Sequence, residues 1–411
     1  MIDNYAVNLL FWDQWGFYAE FFDKGSYWDI FSHQHGPHRQ GIGFILAKWI
    51  ADLSAWDGKI EAFAIGVLLF LSGLFCLLLK KRLTGNLVFM DIVLFALILS
   101  PTQHGLFSAT PNISHGSMPF LLLILYSFAW LNHSKYKYYL IGFINFLLVF
   151  TGFGFFIAPI SIFLILLDLW RFKEDRIHKV LSLLLCLFGL VLFFYDYNFN
   201  HPQDLAGELE NSSLNLYLSF IFVSLANYWS LTISSIWDMV FGAINFMIIL
   251  GLMVLSTIKL WRETNNKALR IVFILSTFSF LFLLNLSLGR APYGIGGAKA
   301  SRYIIYISPA YIALYFYLGQ LRFGGHFWKL IFVLASIYPS LNTAQHYKRM
   351  EKIKSKKEKW VEVYKKTESI EIANRESNFK IFPKPEKVHL KERLEYLKEH
   401  KLNFYKSEPQ D

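Results

Sequence analysis

Residues 62–82 read AFAIGVLLFLSGLFCLLLKKR. The apolar part, Ala62 to Leu79, has the length of a helix that crosses a bilayer, which needs about 17 to 25 residues. Lys80, Lys81 and Arg82 follow at once and favour the cytoplasm for this end, because short basic loops are retained on that side. This stretch therefore predicts a transmembrane helix and its direction.

Apolar runs of similar length recur along the middle of the chain and predict about ten crossings. A block from Tyr138 to Trp170 is too long for one span and is expected to turn at Thr151 to Gly154. The run Leu214 to Trp229 is short, and whether it crosses or lies at the interface stays open. The other predicted spans are Leu87–Leu106, Met118–Leu131, Val180–Tyr195, Ile236–Leu260, Ile271–Leu288, Ile304–Leu318 and Trp328–Tyr338. The predicted fold class is all-α, a polytopic membrane helix bundle.

The charged residues are concentrated at the C-terminal end. Of 40 Lys+Arg and 30 Asp+Glu, 18 basic and 12 acidic residues lie from Lys348 onward. The residues before Lys348 carry about one charge in nine, whereas ordinary globular chains carry roughly one in four. This composition excludes a disordered chain and a nucleic-acid-binding domain over the whole length, so no nucleic-acid partner is expected. Cys76 and Cys186 lie in apolar runs and indicate neither a disulfide framework nor a thiolate metal site.

Basic residues in short loops also set the orientation of the bundle. If Leu214 to Trp229 does not cross, the loops that they place on the outer face are 1–58, 101–117, 196–213 and 289–302. We expect an outer-face loop with juxtamembrane helices over 1–58, a transmembrane bundle over 59–343 and a charged, mostly helical tail over 344–411. The tail is placed outside although its first residues are basic. The chain is thus expected to be a multi-pass protein of the cytoplasmic (inner) membrane, in contact with membrane lipids.

An aspartate lies between two tryptophans in the first outer loop, in the sequence Trp12-Asp13-Gln14-Trp15. A carboxylate that two indole rings partly shield from water is a candidate general base. The alternative is an aromatic belt at the membrane interface in which Asp13 caps a helix. The residues alone leave both interpretations open.

Three histidines and an arginine follow at His33, His35, His38 and Arg39. Imidazoles and a guanidinium at the start of a helix form a site for an anion, which the free backbone N–H groups would assist. A solvated loop before a helix is the alternative. The spacing His-x-His-x-x-His without a carboxylate at a fixed distance is a weak metal signal, so no metal or other cofactor is predicted.

Two further outer loops carry polar residues at the ends of predicted spans. The first contains Gln103 and His104, and the second contains Arg290 and, after a glycine-rich segment, Arg302 and Tyr303. Two arginines flanking a flexible loop suit a phosphate or diphosphate at the membrane interface. The alternative is that both arginines extend to lipid headgroups.

Together these residues resemble the GT-C superfamily of polytopic glycosyltransferases, and more closely an uncharacterised bacterial branch of multispan proteins. The residues that carry the resemblance are Asp13 with Trp15, His38 with Arg39, Gln103, Gly289 with Arg290, Ser301 with Arg302 and Tyr303, and Leu397, His400, Leu402 and Tyr405 in the tail. The resemblance spans most of the chain. The glutamate expected before His38 is Pro37 here, and the helix expected before Asp13 is missing, so we expect the natural start to lie upstream.

The resemblance implies a transferase that moves a sugar from a polyprenyl-phosphate-type lipid donor to a glycan, lipid or protein acceptor at the outer face. Asp13 would deprotonate the acceptor hydroxyl, and cationic side chains would hold the phosphate leaving group. The expected substrate-binding residues are His35, His38, Arg39, Gln103, His104, Arg290, Arg302 and Tyr303.

A transporter or flippase, or a polymerase of lipid-linked glycans, is the alternative. A transporter predicts charged residues at mid-membrane depth along a path. Here the polar residues concentrate at one face, which favours the enzyme.

Overall fold

The computed structural model describes residues 1–109, 112–199, 213–231, 236–321 and 324–406, and within these ranges the chain is almost entirely helical. The one sheet among them is a hairpin in which β1 (Gln34–His35) pairs antiparallel with β2 (His38–Arg39). The all-α class is confirmed. Most of the predicted outer loop 196–213 lies outside the described ranges.

The helices form an N-terminal group, a long apolar bundle and a polar C-terminal group. The N-terminal helices are α1 (Ile2–Tyr5), α2 (Gln14–Phe17), α3 (Ala19–Phe22), α4 (Tyr27–Ser32) and α5 (Gly41–Ser54). The bundle consists of α6 (Gly58–Thr84), α7 (Val93–Ile98), α8 (Ser117–Ala129), α9 (Lys137–Val149), α10 (Ile157–Arg171), α11 (Arg176–Phe194), α12 (Leu214–Tyr228), α13 (Ile236–Arg262), α14 (Lys267–Arg290), α15 (Ile304–Leu318) and α16 (Gly325–Leu341). The tail contains α17 (Ala344–Thr367), α18 (Ile370–Ser377) and α19 (Leu390–Glu399).

Five helical segments are long and apolar enough to cross a membrane, which is consistent with a multi-pass membrane protein. They are Gly58–Thr84, Gly154–Arg171, Arg176–Phe194, Ile236–Arg262 and Lys267–Tyr293. The expected number of about ten is not confirmed, because several apolar runs form shorter helices. A helix of 13 residues such as α8 is about 20 Å long at 1.5 Å per residue, whereas the hydrocarbon core is about 30 Å thick.

Breaks in the apolar runs explain the shorter helices. In the predicted span Leu87–Leu106, α7 ends at Ile98 and a separate turn begins at Pro101. The expected turn at Thr151 to Gly154 is confirmed, since α9 ends at Val149 and the next helical turn begins at Gly154.

A buried serine forms hydrogen bonds with the backbone of α15 next to its internal proline. Pro309 has no N–H to donate and its ring disturbs the preceding turn. Ser279 of α14 donates to the carbonyl of Tyr306 at 2.8 Å and accepts from the N–H of Ala310 at 3.1 Å. These bonds satisfy backbone groups where water is absent, and they fix α15 against α14.

The N-terminal segment and the tail pack against each other at one end of the bundle. The N–H groups of Trp12 and Asn403 donate to the carbonyls of Ile381 and Ala55, at 2.7 and 2.8 Å. The rings of Phe11 and Phe379 stack with centroids 4.8 Å apart. The two ends of the chain therefore form one layer, and the candidate site lies beneath it.

Candidate functional site

A cavity of about 720 Å³ lies between the N-terminal segment, the segment that links α14 to α15, and the tail. This volume is in the range of small-molecule sites. The predicted site residues that line it are Asp13, His35, His38, Arg290, Arg302 and Tyr303. The other lining residues are Trp12, Phe17, Gln34, Gly36, Pro37, Leu106, Asn112, His115, Phe153, Asn198, Tyr306 and Phe382. Residues from several separate parts of the sequence thus share one cavity.

Asp13 and Arg302 face each other in this cavity. The carboxylate Oδ2 lies 3.9 Å from the guanidinium Nη1, and the side chains are 35% and 38% exposed respectively. Asp13 precedes α2, but its side chain makes no capping hydrogen bond there. The carboxylate is therefore accessible for chemistry, in a loose ion pair that a substrate can enter.

The two tryptophans beside Asp13 have different environments. Trp12 lines the cavity and is 39% exposed. Trp15 is fully buried, and its ring stacks on Phe22 at a centroid distance of 6.3 Å. Only Trp12 shares the cavity with Asp13, so the carboxylate is not held between two indole rings.

Arg302 is positioned by a contact with the segment after Gln103. The N–H of Gly105 donates to Ser301 Oγ at 3.1 Å. A Cβ atom at Gly105 would lie only 2.5 Å from this oxygen, so a larger residue here would displace the Ser301 hydroxyl from this hydrogen bond. The Arg302 guanidinium lies 5.2 Å from the ring centroid of Tyr303, a cation–π distance. Both contacts restrict where the guanidinium can point.

The histidines form a hairpin rather than the expected helix start. Gly36 supplies the positive φ of 60° that the tight Gly36-Pro37 turn requires. His35 and His38 are direct cross-strand partners and therefore share a face, which is the face toward the cavity. The imidazoles of His35 and His38 therefore face the cavity, in the segment where the sequence predicted an anion site.

Arg39 was predicted to bind substrate, but the structure does not place it in the lining of the cavity. Its side chain is buried away from the cavity, and it donates to the carbonyls of Ser32, Phe193 and Tyr195. Neighbouring residues on a strand point to opposite faces, so Arg39 and His38 cannot both face the cavity. Arg39 therefore connects the hairpin to the end of α11 through hydrogen bonds.

Gln103 and His104 were also predicted to bind substrate, and neither lines the cavity. Gln103 is fully buried and donates to the carbonyl of Leu97 at 3.2 Å. His104 packs against His346 of the tail, with ring centroids 5.2 Å apart. Burial, together with His346 and Arg349, lowers the pKa of His104 to about 4. Both residues belong to the packing beneath the tail.

His115 is a site residue that the sequence analysis missed. Its ring lies 5.4 Å from that of His38, and its Nε2 is 3.1 Å from Nε2 of Gln40. Burial and the nearby His38, His35 and Arg302 hold the pKa of His115 well below its usual range, so the ring is neutral at pH 7. His115 lies in the predicted outer loop 101–117, together with the predicted binding residues Gln103 and His104. This position was the sequence signal that could have identified it.

Tyr306 and Phe382 were missed as well. Tyr306 donates from its hydroxyl to the carbonyl of His115 at 2.8 Å, which joins α15 to this wall of the cavity. Phe382 comes from the tail. An aromatic residue in an apolar helix or a charged tail gives no local signal of a site, because only tertiary packing brings it there.

No group of three or more His, Cys, Asp or Glu side chains suited to a metal ion is found within the described ranges. The donor set of the cavity is instead two arginines, three imidazoles and one carboxylate. Such a set binds an anion through its cations and can accept one proton at Asp13.

Comparison of the chain with protein-family models, with curated proteins and with solved structures finds no match in any of the three. The chemistry of the cavity therefore has to be inferred from its own residues.

Proposed function

We propose that this protein is a membrane glycosyltransferase of the GT-C type, which transfers a sugar from a polyprenyl-phosphate-type lipid donor to an acceptor. The reaction would take place at the outer face of the cytoplasmic membrane. One observation carries the proposal. Asp13 and Arg302 face each other at 3.9 Å in a cavity that Arg290 and His38 also line.

Each of these groups fits one part of the transfer. The acceptor hydroxyl oxygen forms a bond to the anomeric carbon of the sugar, and its proton passes to the Asp13 carboxylate. The bond from the anomeric carbon to the phosphate oxygen breaks, and its electron pair leaves with the lipid phosphate. Arg302 and Arg290 stabilise the charge that grows on this phosphate. No further reactant is needed.

The remaining lining of the cavity suits a sugar. Its aromatic rings, from Trp12, Phe17, Phe153, Tyr306 and Phe382, supply the apolar surface typical of small-molecule sites. The polar groups of the lining come from the Asp13 segment, the hairpin, residues 112–115, Asn198 and the link between α14 and α15. Aromatic walls together with fixed polar groups orient a ligand, which is the main requirement for a displacement between two bound substrates.

A flippase for the same lipid is the competing proposal. Moving an anionic headgroup across the membrane requires compensating charge along the path. Between Arg270 and Arg290, α14 carries no charged residue. This favours transfer at one face over translocation.

The test uses purified full-length protein in vesicles with polyprenyl-phosphate hexoses as donors and a soluble sugar in excess to supply the acceptor hydroxyl, and it measures released polyprenyl phosphate. Asp13→Asn keeps the size of the side chain but removes proton acceptance, so release should fall by roughly 10²–10⁴-fold. Donor binding, measured as the donor-induced rise in melting temperature, should persist. The matched control is Asp3→Asn, at an exposed carboxylate outside the cavity.

Full release per folded molecule in Asp13→Asn would remove this residue from the mechanism. Donor translocation by the wild-type protein without any release would replace the transferase proposal by the flippase. Absence of both binding and release would reject a lipid-linked donor.

A further inference from the structure

We propose that the opposite end of the bundle holds a second site, which binds a phosphate group. A cavity of about 330 Å³ lies there among the connections from α8 to α9, from α10 to α11 and from α13 to α14. The residues that carry the proposal are Lys137, Lys267, His133, Asp168 and Arg270, all of which line it. The proposal does not depend on the function assigned to the cavity around Asp13.

The two cavities lie at opposite ends of the same helices. Arg270 lines the second cavity and Arg290 lines the first, and both belong to α14. Twenty residues separate them, or about 30 Å at 1.5 Å per residue. Likewise, α9 begins at Lys137 in the second cavity and ends just before the turn that contains Phe153 of the first. One ligand cannot occupy both.

Part of the lining of the second cavity is the buried ion pair of Arg270 and Asp168, whose charges compensate each other. Arg270 donates to both carboxylate oxygens of Asp168, at 2.7 and 3.0 Å, and the Tyr138 hydroxyl donates to Asp168 at 2.9 Å. The Arg270 guanidinium also lies 4.5 Å from the ring centroid of Trp130. This part of the lining is rigid and locally neutral, so it shapes the cavity without attracting an ion by itself.

Lys179 closes one wall and is likewise engaged. Its ammonium donates to the carbonyls of Asp168, Phe172 and Glu174 at 2.7 to 3.2 Å, which uses all three of its hydrogens. The carboxylates of Glu174 and Asp175 stand near it. The charges around Lys179 are balanced, so any attraction for a ligand comes from the other cationic residues of the lining.

Two other lysines that line the cavity, Lys137 and Lys267, have N–H groups that can still donate hydrogen bonds. Among the described residues, Lys137 donates no hydrogen bond, and its ammonium lies 5.0 Å from the ring centroid of Tyr138. Lys267 donates to the carbonyl of Leu131 at 3.2 Å and lies 2.8 Å from Nε2 of His133. Each ammonium can still donate to an oxygen in the cavity.

The position of these lysines in their helices makes an anion favourable. Lys137 is the first residue of α9 and Lys267 is the first residue of α14. The start of a helix carries a partial positive charge and favours acidic residues, so a lysine there is unfavourable until an anion arrives. A phosphate between them would receive charged hydrogen bonds from both lysines and favourable fields from both helices.

The size and charge of the cavity point to one phosphate group rather than a polyanion. Glu174 and Asp175 line its far side and would repel a second negative group. A phospholipid headgroup and a free phosphate ion both present this chemistry. Basic pockets between transmembrane helices on the cytoplasmic side are known to hold anionic headgroups, and the positive-inside rule expects this end there.

The experiment uses the full-length protein in detergent and has two arms. One adds phosphatidylglycerol, with diacylglycerol as the lipid without phosphate, and counts bound lipid by native mass spectrometry. The other adds inorganic phosphate, with chloride at equal ionic strength, and records the melting temperature. The variant is Lys137→Gln with Lys267→Gln, and the control pair is Lys135→Gln with Lys173→Gln, at exposed lysines of neighbouring loops that do not line the cavity.

We expect at least tenfold weaker binding in the variant and unchanged binding in the control pair. A response to the lipid alone identifies a headgroup, and a response to phosphate alone identifies the free ion. Equal binding by variant and wild type, no binding in either arm, or equal weakening by the control pair would overturn the proposal. Lys137→Gln alone, which breaks no hydrogen bond, should weaken binding several-fold at an unchanged melting temperature without ligand. This single variant separates lost binding from lost folding.

Discussion

Arg302 and Arg39 have the same functional group and different roles. Arg302 is 38% exposed in the cavity and faces a carboxylate. Arg39 is 5% exposed and, within the described part of the chain, donates to three backbone carbonyls. A guanidinium that can reach a ligand contributes to binding, whereas one whose hydrogens are already bonded to the backbone contributes to folding.

Arg302→Lys should therefore reduce function without unfolding the protein. Lysine keeps the charge but loses the planar fork that grips two phosphate oxygens. Donor binding should weaken, and the rate of polyprenyl phosphate release should fall as well, because the charge on the leaving phosphate is greater in the transition state than in the bound donor. Both are measured by donor titration of the reconstituted protein. An unchanged rate at saturating donor would show that Arg302 does not act on the leaving group.

Arg39→Lys should give the reverse pattern. Lysine cannot reach three separate carbonyls in the same geometry, and unsatisfied buried groups destabilise a protein by about 1–3 kcal/mol each. We expect a lower melting temperature and less folded protein, with normal release per folded molecule. Normal stability combined with weak donor binding would return Arg39 to the list of binding residues.

His104 should make the protein sensitive to acid. Its pKa in the folded protein is about 4, below the ordinary value of about 6.5. Above pH 6.5 the ring is neutral in both folded and unfolded chains. As the pH falls from 6.5 to 4, only the unfolded chain takes up the proton, and stability on the order of 3 kcal/mol is lost.

The check is the melting temperature between pH 7 and pH 4. His104→Gln should show a smaller decrease than the wild-type protein, and His326→Gln, at an exposed histidine, should match the wild type. An identical decrease in His104→Gln would mean that other groups cause the acid sensitivity.

At the scale of elements, the hairpin and the tail decide what the cavity contains. The hairpin presents His35 and His38 together and turns Arg39 away, because alternate strand residues face opposite sides. The tail holds the Asp13 segment in place. Arg393 of α19 donates to the carbonyl of Trp15, and its guanidinium lies 4.9 Å from the ring centroid of Phe22.

Arg393→Met should accordingly loosen the segment that carries Asp13. Methionine keeps the apolar contact but loses the hydrogen bond and the cation–π contact. We expect several-fold slower release with a modest decrease in melting temperature. Arg375→Met, at an exposed arginine of α18, is the matched control and should change neither the release rate nor the melting temperature. Equal rates in both variants would show that Asp13 is positioned without α19.

At the scale of the whole molecule, the cavity and the tail lie on one side and the end of α6 on the other. Cysteines that replace Lys299 and Lys391 should both react with an impermeant thiol reagent added to intact cells, and a cysteine that replaces Thr84 should not. The native Cys76 and Cys186 are buried and should contribute little background. Labelling of Thr84→Cys alone would invert the orientation, and labelling of only one of the two lysine positions would separate the tail from the cavity.

The sequence by itself determined the helical, apolar class of the protein and several members of the cavity. Apolar composition and the break at Thr151 to Gly154 are local properties, and each of them is visible in a short stretch of residues. Asp13, Arg290 and Arg302 could be selected because polar groups near a membrane are rare and need a reason to be there.

Only the tertiary structure decided which polar groups reach the cavity and how many apolar runs form long helices. Arg39 is held away from the cavity by a hydrogen bond to the carbonyl of Phe193, 154 positions away in sequence. Phe382 reaches the cavity from a tail whose composition predicts only charged helices. Such partners are set by the packing of distant elements, and a buried polar group takes whichever partner lies within hydrogen-bond distance. That distance depends on the folded chain, so it cannot be derived from any local pattern of residues.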